Sequence, residues 1–309
     1  MVKLNINLPE HFLEEEIRNE YTVTAQIKQV WAVELDLLKQ LNTVCETLHI
    51  SYCACGGTLL GAVRHQGFIP WDDDIDVAMK REDFCKLCQA HELFLPPYEL
   101  QFFDKTEGYF TGHAQLRNTQ TTAALDIFMN SRSKVPFNQG IFIDIFPLDA
   151  LPDEPAKRKA LCRKILKLRN AAKRAYRLKE GYIPEKATSR MKFLHALFQL
   201  FPFVSYQKLY SKFIETCTKY NHQTTEYLTM LSFMPENEKL WIKRENFNHI
   251  TQSKFEFITI PIEKNYDEVL KTQYGNYQTP VKGGCYHGGV IFDTDQPFSQ
   301  WIKSHQNKL

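Results

Sequence analysis

The chain has little net charge, no repeat, no low-complexity tract and no apolar run long enough to cross a bilayer. Its 38 lysines and arginines against 36 acidic residues leave a formal charge of +2. No global electrostatic attraction to nucleic acid or to a membrane follows from that balance, so any such attraction has to come from local patches. Residues 1–25 are polar and charged, with Glu10, Glu14, Glu15, Glu16, Arg18 and Glu20 where a secretory leader would carry a basic start and an apolar stretch. A reducing cytoplasm is therefore the expected compartment, and the eight cysteines are expected to be thiols rather than disulfides. Cys85 and Cys88, with Cys53 and Cys55, have a spacing that can clamp zinc. Cys85 and Cys88 also follow helical spacing beside Phe84 and Leu87, which reads more simply as small apolar filling.

What is present is a 309-residue chain, 43% apolar, that can bury a substantial core. Its most informative stretch runs from Gly56 to Val77. Gly56, Gly57 and Thr58 form a turn that relaxes backbone sterics, and the apolar run behind it opens a helix whose first amides can face an anion. Asp72, Asp73, Asp74 and Asp76 follow. On a strand, Asp74 and Asp76 emerge on one face while Ile75 and Val77 enter the core. Two hard oxygen ligands side by side suit Mg²⁺, or Mn²⁺ in its place, on a substrate pyrophosphate. Arg64, His65, Lys80 and Arg81 flank the cluster and offset its repulsion. Asp144 sits amid Phe142, Ile143, Ile145 and Phe146, where an unpaired carboxylate is costly. It is read either as a satisfied buried aspartate or as the third carboxylate of the same site. Asp149, beyond Pro147, is read as a cap for the next element.

Trp31, Leu35, Leu38, Leu41, Cys45 and Leu48 recur every three or four residues and predict a core helix, followed by a short strand over Ile50–Cys55. A second helix is expected from Arg81, ending before Pro96 and Pro97, and a buried strand over Gly140–Pro147. Residues 154–180 hold eleven lysines and arginines against Glu154 and Glu180. Leu161, Ile165, Leu168, Ala172 and Tyr176 mark a narrow apolar stripe on this basic helix. The aromatic-rich stretch from Met191 to Phe213 is read as a helical hairpin packed on the core or an interfacial element. Residues 154–213 are thus the candidate for peripheral contact with a membrane surface or an anionic acceptor. Lys254–Pro261 reads as one strand that extends the sheet and brings Glu256 or His287 toward the cleft, followed by a helix over about 265–273.

The run from Gly56 through Arg64-His65 and Gly67-Phe68-Ile69-Pro70-Trp71 to Asp76 resembles the signature of the LicD family of phosphocholine transferases, which is related to fukutin-type enzymes. Arg81-Glu82-Asp83-Phe84, Arg117-Asn118-Thr119, Gly140–Asp149, Phe255-Glu256, Pro261, Tyr274-Gly275 and His287 resemble its further motifs. The resemblance covers most of the chain outside about 151–235, and departs from the usual pattern at Phe257, Asn276 and Lys282–Cys285. It implies an α+β, nucleotidyltransferase-like mixed sheet flanked by helices, with a catalytic core over 26–150, a basic, mainly helical lobe over 151–235, and a return to the core over 236–309. It further implies a CDP-activated donor, most simply CDP-choline, and a sugar hydroxyl of a glycan or lipid-linked glycan acceptor such as teichoic acid, lipopolysaccharide or capsule. CMP leaves, and nucleic acid has no part. Asp74, Asp76 and Asp144 are the expected catalytic and metal-binding carboxylates. Gly56, Gly57, Thr58, Arg64, His65, Arg81, Arg117 and His287 are the expected donor and phosphate contacts. Asp144 is the first candidate base and His65 its rival, while Trp71 either stacks on the base of the nucleotide or wedges the loop. Three alternatives stay open: another nucleotide-activated polyol or sugar phosphate, true nucleotidyl transfer with pyrophosphate release, and a non-catalytic polyanion-binding role for the basic helix.

Overall fold

A computed structural model describes residues 1–125, 137–179, 188–190, 193, 196, 205–283 and 289–305. The stretch from Met191 to Phe213 therefore falls mostly outside the described residues, as do Cys285 and His287. The fold is α+β. Among the described residues it has seven α-helices and a mixed seven-stranded sheet, with three separate two-stranded ladders.

Helix α1 (Ala25–Leu48) is the central core helix. The Thr24 side chain accepts a hydrogen bond from the Ile27 amide and starts it, and His49 in the left-handed region (φ 52°) ends it. Trp31, Leu35, Leu38, Leu41 and Cys45 are buried, as their spacing predicts, and each large side chain is worth about 2 kcal/mol of apolar burial. Residues 1–24, outside the expected core boundary, add Ile6, Phe12 and Val23 to the same cluster.

Strand β3 (Tyr52–Ala54) leads into α2 (Gly56–Arg64), and the chain returns as β4 (Asp76–Lys80), antiparallel to β3. Helix α3 (Arg81–Gln89) follows at once. Strands β5 (Tyr98–Gln101) and β6 (Ala114–Asn118) form an antiparallel pair. The long strand β8 (Phe142–Leu151) is the spine of the sheet, with β7 (Thr122–Leu125) lying apart from it. It takes β4 in parallel, and β6 and β9 (Tyr227–Thr229) antiparallel. One face of this sheet carries Val77, Met79, Ile143, Ile145, Leu116 and Leu100 into the main core with α1. By the period of two, Asp76, Asp144 and Gln115 lie on the other face.

Helix α4 (Pro155–Lys179) is the expected basic helix, and it buries Leu161, Cys162, Ile165, Ala172 and Ala175. Its partner is α5 (Tyr206–Thr218), through Tyr210, Phe213 and Cys217. No helix among the described residues is long and apolar enough to cross a membrane. The segment 254–261 is not one strand. It is a hairpin of β11 (Ile250–Phe255) and β12 (Ile258–Glu263), turning at Glu256 in the left-handed region (φ 55°). Its hydrogen bonds close on themselves, so it packs beside the main sheet without extending it. Helix α6 (Tyr266–Tyr274) and strand β13 (Val290–Asp293), which pairs with β7, complete the return, and α7 (Phe298–His305) is the last element.

The structure also corrects the reading of Asp149. It is fully buried within β8 rather than capping a helix, and it accepts two hydrogen bonds from the Arg81 fork, at 2.8 and 2.6 Å, and one from Asn221 at 2.9 Å. Such a pair costs little when complete and much when halved, because the surviving charge has no water to turn to. Asp149→Asn is expected to destabilise the protein by about 3–5 kcal/mol in urea unfolding. A loss below about 1 kcal/mol would show that the pair does not hold α3 to the sheet.

Candidate active site

The site is built on the register between β4 and β8. Asp76 and Asp144 are direct partners across that parallel pair, and the Asp144 amide donates to the Ile75 carbonyl at 2.9 Å. Neighbouring strands run about 4.8 Å apart, so two carboxylates from segments 68 positions apart in sequence stand side by side on one face. The row continues across the sheet. Gln115 of β6 is the partner of Asp144, and Gln101 of β5 is the partner of Gln115. Asp144 is 7% exposed, while Asp76 is only partly buried at the open end of the row.

The loop before β4 adds Asp72, Asp73 and Asp74, whose carboxylate oxygens lie within 4.8 Å of one another. Trp31 Nε1 donates to the Asp72 carbonyl at 2.9 Å and pins this loop to α1. Thr58 Oγ1 accepts from the Asp76 amide at 2.8 Å, tying the start of β4 to α2. The two glycines of α2 face carboxylates: a side chain at Gly57 would put its Cβ 2.7 Å from Asp72 Oδ2, and Gly56, at φ 55°, lies against Asp76. The positive end of α2 thus sits under the acidic cluster and partly offsets it.

Several groups around the cluster register its charge. Glu34, on α1 and 1% exposed, has its carboxyl pushed well above the ordinary range by burial and then by Asp74, Asp73, Asp72 and Asp76. Its Oε2 has no hydrogen-bond partner. The Cys55 thiol is pushed up by burial and by Asp76, Glu263, Asp144 and Asp74, so it is no nucleophile. Burial, with Cys55 and Asp76 adding, raises the Tyr274 hydroxyl at the edge of the cluster. His113 Nε2 lies 3.3 Å from Asp144 Oδ1 with both side chains buried, and its ring packs against Phe146 at 4.7 Å.

The donor set is all hard oxygen, as Mg²⁺ or Mn²⁺ prefers. In an octahedral shell with ligands at about 2.1 Å, oxygens lie about 3 Å apart when adjacent and about 4.2 Å when opposite, a spacing that Asp72, Asp73 and Asp74 can meet. Of the expected ligands, Asp74 belongs to the loop cluster, and Asp76 and Asp144 stand beside it on the sheet.

The expected phosphate contacts divide. Gly56, Gly57 and Thr58 are at the cluster. Arg64 and His65 lie at the other end of α2, about 12 Å away at 1.5 Å per residue. Arg81 is about 16 Å along β4 from Asp76, and its fork is already engaged by Asp149, so it does not reach the cluster. Arg117 is 3% exposed and spends its guanidinium on the Gly140 carbonyl and Gln115, beneath the site rather than in it. Glu256 is held by Arg18 at the far end of α2 and does not enter the cluster. His287 lies outside the described residues. Glu34, His113 and Gln115 were missed. Glu34 had a signal, an acid inside the apolar run Val30–Leu38, but Asp36 interrupts the same run and is satisfied by Tyr98 and Asn5. Only the packing separates the two.

The residues 49–161 match the family model for the LicD/FKTN/FKRP nucleotidyltransferase domain. Over 260 residues the chain is 30% identical to the lipopolysaccharide cholinephosphotransferase LicD of Haemophilus influenzae, covering 81% of this chain and 91% of that protein. The chain belongs to the LicD family. It is accordingly an enzyme, a LicD-type phosphotransferase. Uncharacterised proteins of Rickettsia prowazekii and Rickettsia typhi are 35% and 32% identical over 117 and 145 residues, covering 38% and 45% of this chain and 39% and 43% of theirs.

Glu263 gives the site a measurable pH signature. Burial raises its carboxyl from 4.5 to about 7, tempered by its own backbone amide and the Cys53 thiol. The folded protein therefore keeps a proton that the unfolded chain releases above pH 4.5, and stability falls as pH rises from there to about 7. Glu263→Gln should remove up to about 3 kcal/mol of that decline in melts run across this window. An unchanged slope would place the titration elsewhere.

Proposed function

We propose that this LicD-family enzyme transfers phosphocholine from CDP-choline to a sugar hydroxyl of a cell-surface glycan precursor, lipopolysaccharide being the first candidate, with CMP as the leaving product, in the cytoplasm. The observation that carries the reading is the in-register pairing of Asp76 with Asp144 above the start of α2, in a chain that resembles a lipopolysaccharide cholinephosphotransferase along 81% of its length. Two adjacent carboxylates, with three more on the preceding loop, repel one another and call for a cation. Mg²⁺ or Mn²⁺ held by Asp74, Asp76 and Asp144, with Asp72 and Asp73 within reach, would neutralise charge on the donor's two phosphates.

The chain's own groups supply the rest. In this reading Asp144 accepts the proton of the attacking hydroxyl, and His113, with Nε2 at 3.3 Å from Asp144 Oδ1, orients the carboxyl. His65, the rival base, sits at the far end of α2, away from these oxygens. Trp71, half-buried and packed edge-on against Tyr21 at 6.0 Å, keeps the acidic loop on the body of the protein. The barrier falls chiefly because these charges are fixed before the donor arrives, so little reorganisation is left for the reaction itself.

A donor screen with CDP-choline, CDP-ribitol and CDP-glycerol, with Mg²⁺ present or chelated and scored by CMP release, tests the reading. CDP-choline is expected to turn over, chelation to stop it, and Asp76→Asn or Asp144→Asn to lower kcat by about 10³-fold or more. His113→Gln should lower kcat by about 10²-fold with the donor KM unchanged. Pyrophosphate as product, or turnover indifferent to chelation, would overturn the assignment.

A further inference from the structure

Helix α2 has a second end, and it opens onto a cavity of about 650 Å³. The lining includes Arg18, Asn19, Arg64, His65, Lys254 and Gln278, and among the described residues around it there is no phenylalanine, tyrosine or tryptophan ring. Charge there is unbalanced. Arg18 is spent on Glu256, at 2.6 and 2.8 Å, and on Glu16. Among the described residues, no carboxylate lies within ion-pair distance of Arg64 or Lys254. Arg64 is held in place by neutral acceptors alone, donating to the Tyr277 carbonyl at 2.8 Å and to His65 Nδ1 at 3.3 Å. That contact leaves Nε2 of His65 to carry the ring proton, and this buried nitrogen has no partner.

The rim is held by hydrogen bonds between two turns. The Glu256 amide donates to the Gln66 carbonyl at 2.7 Å, and the Glu256 carboxylate accepts from the Phe68 amide at 3.0 Å. The loop after α2 is thereby latched to the β11–β12 turn, which holds Arg64 at the cavity without a carboxylate to neutralise it.

We propose that this cavity is the acceptor subsite and that it takes a phosphate-bearing saccharide. The proposal rests on the transferase reading above and names the chemistry of its acceptor. Arg64 and Lys254 meet the phosphate, Arg64 with the forked geometry that phosphate oxygens favour. The amides of Asn19 and Gln278 match hydroxyls. The donor's two phosphates call for a cation, which the carboxylates at the glycine end of α2 would hold, so the donor belongs at that end and this one is left for the acceptor. The helix then spaces the two subsites, about 12 Å apart, so that a sugar hydroxyl can reach the carboxylates while a phosphate farther along the acceptor is held.

The test is calorimetric binding to the full chain of a hexose phosphate, the same hexose without phosphate, and inorganic phosphate, with CMP plus Mg²⁺ as the donor-side probe. The hexose phosphate should bind more tightly than either fragment. Lys254→Gln and Arg64→Gln should each weaken it about tenfold or more, Arg64→Lys should restore part of the loss, and CMP affinity should stay unchanged throughout. Asp76→Asn should leave hexose phosphate binding intact, which separates this proposal from the fate of the phosphocholine reading. Lys254 is exposed, so its variant is not expected to disturb folding. Absent hexose phosphate binding, inorganic phosphate binding equally well, indifference to both Gln substitutions, or an equal loss of CMP affinity would each overturn the proposal.

Discussion

Like charge held at close range is the constraint around which this protein is arranged. The parallel ladder between β4 and β8 sets Asp76 beside Asp144, and no rotation of either side chain can move the strands apart. The surrounding structure answers that repulsion in part. The positive end of α2 lies beneath Asp76 and Asp72, His113 leans on Asp144, and Glu34 keeps its proton rather than add another charge. Mutual repulsion among these carboxylates thus becomes affinity for the groups that neutralise it.

Helix α2 organises the space around that cluster. Its glycine end allows carboxylates to come within touching distance of the backbone, and its other end offers cations to an open cavity. A nine-residue helix is stiff and of known length, which makes it a spacer as well as an anion-facing dipole. Arg81 and Arg117, by contrast, serve the frame. Arg81 clamps α3 to β8 through Asp149, and Arg117 braces β6 against Gly140 and the ring of Phe142 at 4.5 Å. Both are buried, and each spends its guanidinium on the protein frame rather than turning it to a substrate.

Much of the fold was legible from local patterns. The apolar period of α1 and the apolar stripe of the basic helix α4 depend on near neighbours and are found where those patterns put them, whereas the strand expected from Asp74 begins only at Asp76, which leaves Asp74 on the loop with Asp72 and Asp73. The misreadings share a cause. Asp149 looked like a cap because Pro147 precedes it, and the β11–β12 hairpin looked like one strand because Glu256 and Phe257 carry no turn-forming residue type. In both cases a distant partner decided the outcome: Arg81 for Asp149, and Arg18 with the loop after α2 for Glu256. Tertiary context outbid local preference there, as it does wherever a charge or a strained φ is held from outside.

The sequence by itself determined the inventory of the site, its acidic strand, its glycine turn and its second buried aspartate, because these follow from residue type and short-range period. It also carried the family, through a run of residues too long to recur by chance. Only the tertiary structure decided which groups meet. It put Asp144 next to Asp76, brought His113 and Glu34 to the same place, sent Arg64 and His65 to the far end of α2, and withdrew Arg81 to Asp149. The reason is physical: spacing along a chain specifies which way a side chain points, whereas strand register and helix length specify what it points at.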